Sequence, residues 1–150
     1  MMDCDPDLAD TAAFCEAYGI DPHDSANAIL VVGKASSSSV PPVYVLCLVL
    51  ATTRLDVNSA VRRRLGTKKA SFAPAETTRV LTGMQIGGVT PFAFPSAIPI
   101  WVDSAVMTRQ QIVVGGGSRS AKVIGPPQML LQLDGVEVID GLAAPIPAVD

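Results

Sequence analysis

Histidine is nearly absent: His23 is the only one in 150 residues. One histidine supplies no zinc-ligand spacing and leaves little room for a Ser-His or Cys-His dyad. It follows Asp21-Pro22, a turn signal, so a solvated loop position is the simpler reading. The three cysteines, Cys4, Cys15 and Cys47, are odd in number and unrelated in spacing. They give no disulfide framework and point to a reducing cytoplasm. The longest apolar run, Val40 to Ala51, holds two prolines and is too short to cross a bilayer, so no membrane role is expected. No signal peptide opens the chain, whose first ten residues carry four Asp. A Gly-Lys-Ser/Thr phosphate loop is missing, and the triple glycine at 115–117 does not fit the dinucleotide fingerprint. No cofactor and no metal are expected.

What is present is aliphatic. Apolar residues make up 49% of the chain and aromatics only 5%, which suits a sheet packed by helices and a chain long enough for one domain. The net charge of −3 hides an asymmetry. Residues 1–24 hold seven acids and no Lys or Arg. Residues 54–79 hold seven of the eleven bases, Arg54, Arg62, Arg63, Arg64, Lys68, Lys69 and Arg79, against Asp56 and Glu76. A local basic patch on an acidic protein favours a localised polyanion contact, with a solvated helix face as the alternative.

Residues 1–10 read as an acidic leader. Asp10-Thr11 caps a helix over 11–18 that buries Ala12, Phe14, Cys15 and Tyr18 and stops at Gly19. The runs 28–34 and 43–51 read as a strand hairpin with a Ser- and Pro-rich loop between them. Asp56 caps a helix over 57–65 whose buried face is Val57, Val61 and Leu65, closed by Gly66. Arg62, Arg63 and Arg64 fan over about 200°, so at least two face solvent. A strand over 69–72, a helix entered at Pro74 and ending at Gly83, and a strand over 98–102 follow. Beyond them come a helical turn over 103–108, a hairpin of 111–114 with 121–124, a helix from Pro126 to Leu133, and a strand over 136–139. Residues 143–150 read as a fraying Pro/Ala tail. Strands and helices do not alternate, so an α+β domain with a mixed sheet over 11–142 is expected.

Two glycine-rich stretches stand out. Gly83 to Pro95 is too apolar for an ordinary surface loop and too rich in Gly and Pro for a helix. Gly87 and Gly88 allow close approaches, and Pro91 and Pro95 fix φ. It reads as a rigid backbone wall or as a turn between short strands. The block Gly115-Gly116-Gly117-Ser118-Arg119-Ser120-Ala121-Lys122 reads as a hairpin turn or as a nest of amides beside Arg119 and Lys122 that suits an oxyanion.

Five segments then carry a resemblance in order. They are Ala26 to Val32, Ala51 to Asn58, Arg64 to Ala73, Leu81 to Phe92, and the Gly115 to Lys122 block before a final apolar helix. Together they resemble the YbaK/ProRS-associated editing-domain family, aminoacyl-tRNA deacylases related to the insertion domain of bacterial prolyl-tRNA synthetase. The resemblance covers roughly residues 11–142. It implies a single α+β domain with a mixed, strongly curved β-sheet flanked by helices. It also implies a cytoplasmic protein acting in trans on mischarged aminoacyl-tRNA. The loop from Gly87 to Pro91 would line the aminoacyl pocket, with Asn27, Gly87 and Gly88 at the reacting ester. Thr90, Pro91, Phe92, Gly115, Gly116, Gly117, Ser118, Arg119 and Lys122 would contact substrate. Arg54, Arg62, Arg63, Lys68 and Lys69 would meet the tRNA backbone.

The chain departs from the pattern in two places. Asn27 stands where the family's typical lysine aligns, and Lys34, an odd step along the same strand, faces the other way. Relatives carry an extra helix and strand before residue 11, so an open sheet edge covered by a second copy of the chain is expected. An aminoacyl ester is already activated, so holding it, placing water and stabilising an oxyanion suffices without a dyad. Three functions remain open: a trans-acting deacylase, a weakened relative that binds aminoacyl-tRNA or a related small ligand without turnover, and an interaction module.

Overall fold

The two apolar runs form the centre of the molecule. In the computed structural model, β2 (Ala26–Lys34) and β3 (Val43–Leu50) pair antiparallel from Ala26↔Leu50 to Gly33↔Val43. The structure describes residues 2–8, 11–37, 39–85, 88–92, 98–118 and 120–146, with backbone alone at 8 and 11–14.

β3 reads as an unbroken apolar run because both its faces are buried. Leu46, Leu48 and Leu50 pack with Ile100, Val102, Ile112, Val114 and Leu130. Val45, Cys47 and Val49 pack on the other side with Leu55, Val57, Val61, Trp101 and Leu142. Each fully buried Leu or Val contributes about 1.5–3 kcal/mol over its exposed state.

β6 (Ile100–Asp103) lies parallel to β3, β9 (Val136–Ile139) lies parallel to β6, and β5 (Lys69–Phe72) closes the other edge against β2. The order β5-β2-β3-β6-β9 makes a mixed sheet. β7 (Ile112–Gly115) and β8 (Ala121–Gly125) form the expected hairpin, with β1 (Met2–Asp3) on the outer side of β8. β4 (Thr53–Leu55) pairs with β10 (Ala143–Pro145). The described strands thus fall into three sheets rather than one strongly curved sheet, and a parallel bridge, Ser25↔Val113, joins the first two.

The helices are α1 (Thr11–Tyr18), α2 (Arg62–Leu65) and α3 (Ala75–Thr82). A π-helical turn over Val57–Val61 leads into α2, so the segment read as one helix begins wide. Asp56 caps it by accepting from the Ser59 amide at 3.1 Å, and Gly66 ends it at φ 70°. Two expectations are corrected. The segment Pro127–Gln132 is a 3-10 helix, entered through consecutive prolines, rather than an α-helix to Leu133. The expected tail is in part a strand, because β10 finds its partner in β4; residues 147–150 lie outside the described residues.

That strand is anchored by a buried carboxylate. Asp103, 3% exposed, accepts from the amides of Leu142 at 3.1 Å and Ala143 at 3.3 Å. The leader is likewise held: β1 pairs with β8 and Cys4 is buried beside Cys15 and Val113.

Candidate functional site

The segment Gly88–Phe92 and the triple glycine meet. The Gly117 amide donates to the Gly88 carbonyl at 2.8 Å. A β-carbon on Gly115 would stand 2.0 Å from the Val89 oxygen, and one on Gly116 would stand 2.7 Å from the Ala121 carbonyl carbon. Gly117 has φ +100°, the region that favours glycine. Gly115 and Gly117 let the chain lie directly against 88–90, and Gly116 lets it close on Ala121 across the hairpin.

Within the loop, the Gly88 amide donates to Gln85 O at 2.9 Å and the Phe92 amide to Thr90 Oγ1 at 3.3 Å. Thr90 is 3% exposed and Pro91 is buried. Met84 and Val89 belong to the core with Leu46 and Leu48, and Phe92 packs on its margin. Gly87, Arg119 and the residues at 93–97 lie outside the described residues.

Two amides of the expected nest are already engaged. Gly116 donates to Ala121 O at 3.0 Å and Gly117 to Gly88 O. Each N–H has a single hydrogen, so these two fasten the wall rather than meet an oxyanion. The Ser118 hydroxyl accepts from the Ser120 amide at 3.2 Å and shapes the same turn.

The bridge Ser25↔Val113 sets β2 beside β7. Asn27 lies two residues past Ser25 on β2, where it pairs with Val49 on β3. Gly115 pairs with Lys122 on β8, and a β-carbon on it would meet the Val89 carbonyl. Asn27 is half-buried and Lys122 is buried. Lys122 also acts on Cys15. Burial raises that thiol, while a hydrogen bond with Ser25 and the Lys122 charge pull it back.

The basic residues separate. Arg62, Lys68 and Lys69 line a cavity of about 490 Å³ together with Lys34, Asn58 and Ser71. Arg54 lines a neighbouring cavity of about 680 Å³ with Asp56 and Phe72. Arg63 is exposed and lines neither. Arg64 turns the opposite way, 5.8 Å from the Trp101 ring centre and 3.5 Å from Glu137 Oε1. Lys34 was passed over in the sequence because its role depends on β5, which sets Lys69 directly opposite it.

His23 is an exposed loop residue whose amide and Nδ1 both reach Asp21 Oδ1 at 2.9 Å. Among the described residues no group of three His, Cys, Asp or Glu can hold a metal, and no helix is long and apolar enough to cross a membrane.

Comparison with known proteins bears on the fold and the family. The chain superposes on a candidate trans-editing enzyme for prolyl-tRNA synthetase with a TM-score of 0.77 at 25% identity, over 93% of this chain and 83% of that one. It superposes on the hypothetical protein APE2540 with a TM-score of 0.77 at 23% identity, over 91% and 85%; this second likeness bears on fold alone. A family model described as the aminoacyl-tRNA editing domain matches residues 5–133, which include Asn27, the 88–92 loop and the triple glycine. The chain belongs to the aminoacyl-tRNA editing domain family.

Proposed function

We propose that the protein is a trans-acting deacylase that hydrolyses the ester of mischarged tRNA in the cytoplasm. The observation that carries the reading is the fastening of the 88–92 loop to the triple glycine through Gly117 N–H and Gly88 O. It joins two backbone segments into one wall, and the family match supplies the substrate class.

In the reaction, a water oxygen bonds to the ester carbonyl carbon. The bond to the ribose oxygen breaks, and that oxygen takes a proton, leaving free amino acid and a tRNA hydroxyl. The wall holds the acyl group, Asn27 donates a hydrogen bond, and Lys122, opposite Gly115 on β8, supplies a positive charge. Thr90, Pro91 and Phe92 bound the acyl side, while Gly115 and Gly116 hold the wall in place. Arg62, Lys68 and Lys69 hold the RNA backbone. A small recess suits the task, because synthetases discriminate small side chains poorly and a second sieve removes the errors.

Asn27 in place of the family's lysine favours a second reading, binding without turnover. A panel of Ala-, Ser-, Cys- and Thr-charged tRNAs separates the two. Loss of ester above buffer supports hydrolysis. Unchanged ester with protected tRNA supports binding alone, and neither effect leaves an interaction module. Sedimentation at high concentration tests for a second copy of the chain as partner.

A further inference from the structure

We propose that the cleft of Lys34, Arg62, Lys68 and Lys69 is a phosphodiester groove that seats the double-stranded part of the RNA, remote from the ester. The proposal deepens the reading above and rests on Asn27 marking the ester end.

Among the described residues, four cations line this cavity and no carboxylate does. Lys34 and Lys69 are direct cross-strand partners on β2 and β5. Like charges placed so destabilise an antiparallel pair, and an anion between them turns the repulsion into a clamp. Arg62 donates from Nε to the Asn58 carbonyl at 2.7 Å, which holds its guanidinium at the wall with its terminal nitrogens still able to donate. The acids nearest in sequence are committed elsewhere: Asp56 to the Ser59 amide and Glu76 to Arg79. The protein as a whole is at −3, so this is a local site and not a general cationic coat.

Distance selects the part of the RNA. Asn27 and Lys34 lie seven residues apart on one strand, about 23 Å at strand rise. That equals roughly seven stacked nucleotides at ~3.4 Å each. Phosphates in the cleft therefore lie beyond the unpaired 3′ end, on the acceptor duplex. The two side chains leave opposite faces of β2, and β5 is the edge strand. The path between them rounds that edge past Phe72, a residue 59% exposed that offers a stacking surface.

The test uses the full chain and an uncharged RNA minihelix with a single-stranded 3′ overhang, titrated by fluorescence anisotropy across a salt series. Lys34→Gln with Lys69→Gln weakens binding about tenfold and lowers the log–log salt slope by about two. Lys34→Arg with Lys69→Arg keeps both near wild type, which excludes a folding defect. Wild-type affinity and slope in the Gln pair overturn the proposal, as does full displacement of the minihelix by inorganic phosphate at matched ionic strength. Because the RNA is uncharged, the binding result stands or falls independently of ester turnover.

Discussion

The carbonyl oxygen of Val89 occupies the place where any residue but glycine at 115 would put its β-carbon, 2.0 Å away. Both sides of that contact are backbone, so neither can rotate away. Gly115→Ala must push the 88–92 loop off the end of β7. We expect a loss of about 1–3 kcal/mol in denaturant unfolding, the usual cost of overpacking, and loss of deacylation. A fully active, equally stable Gly115→Ala protein would show that the loop is not held here. Gly88→Val, on the other strand of the same contact, is expected to abolish turnover by filling the recess.

Asn27 tests the chemistry. Removing one hydrogen bond to substrate costs about 1–2 kcal/mol, so Asn27→Ala should lower kcat/KM by roughly five- to thirtyfold. Asn27→Lys restores the residue type that the family resemblance places there, and is expected to raise turnover. Equal rates in all three proteins would separate Asn27 from catalysis.

Asp103 governs the far end of the chain. Asp103→Ala strips the acceptor from two amides, one of them on the fully buried Leu142. A cost of about 3 kcal/mol follows, with faster hydrogen exchange over 142–145. Asp103→Asn keeps an acceptor oxygen and should recover most of the loss. Unchanged exchange in Asp103→Ala would mean that β10 is held by its pairing with β4 alone.

Cys47 makes stability depend on alkaline pH. Burial pushes its thiol from 9.0 up to about 12. The folded-state value is the higher one, so the contribution is complete below pH 9 and fades as pH rises toward 12. At pH 10 the loss is roughly 1–2 kcal/mol. Denaturant unfolding of wild type and Cys47→Val at neutral pH and at pH 10 reads the difference. The same pH slope in both would assign the decline to other groups.

The local grammar of the fold was legible. The strands at Lys69–Phe72 and Val136–Ile139 fall where they were expected, the second on a β-branched run, and Asp56 and Gly66 bound their helix as read. What escaped was long-range. Ala143–Pro145 looks like a tail until β4 is known to lie beside it. The triple glycine looks like a turn or an anion nest until the loop near residue 89 is seen against it. Lys34 looks idle until β5 brings Lys69 opposite. In each case the deciding neighbour is distant in sequence, and no local periodicity carries it. Asn27 was recognisable as a departure, but the approach of β2 to β7 needed the Ser25↔Val113 bridge.

The contact between Gly115 and Val89 has a consequence for how such a protein can change its diet. A wall closed by main chain against main chain keeps its shape when the side chains around it are exchanged. On the proposed reading, Phe92 on the core margin can then be altered to admit a larger or smaller acyl group, while Thr90, whose hydroxyl accepts from the Phe92 amide, belongs to the closure. Selectivity and architecture are written in different atoms, and one can drift while the other stays fixed.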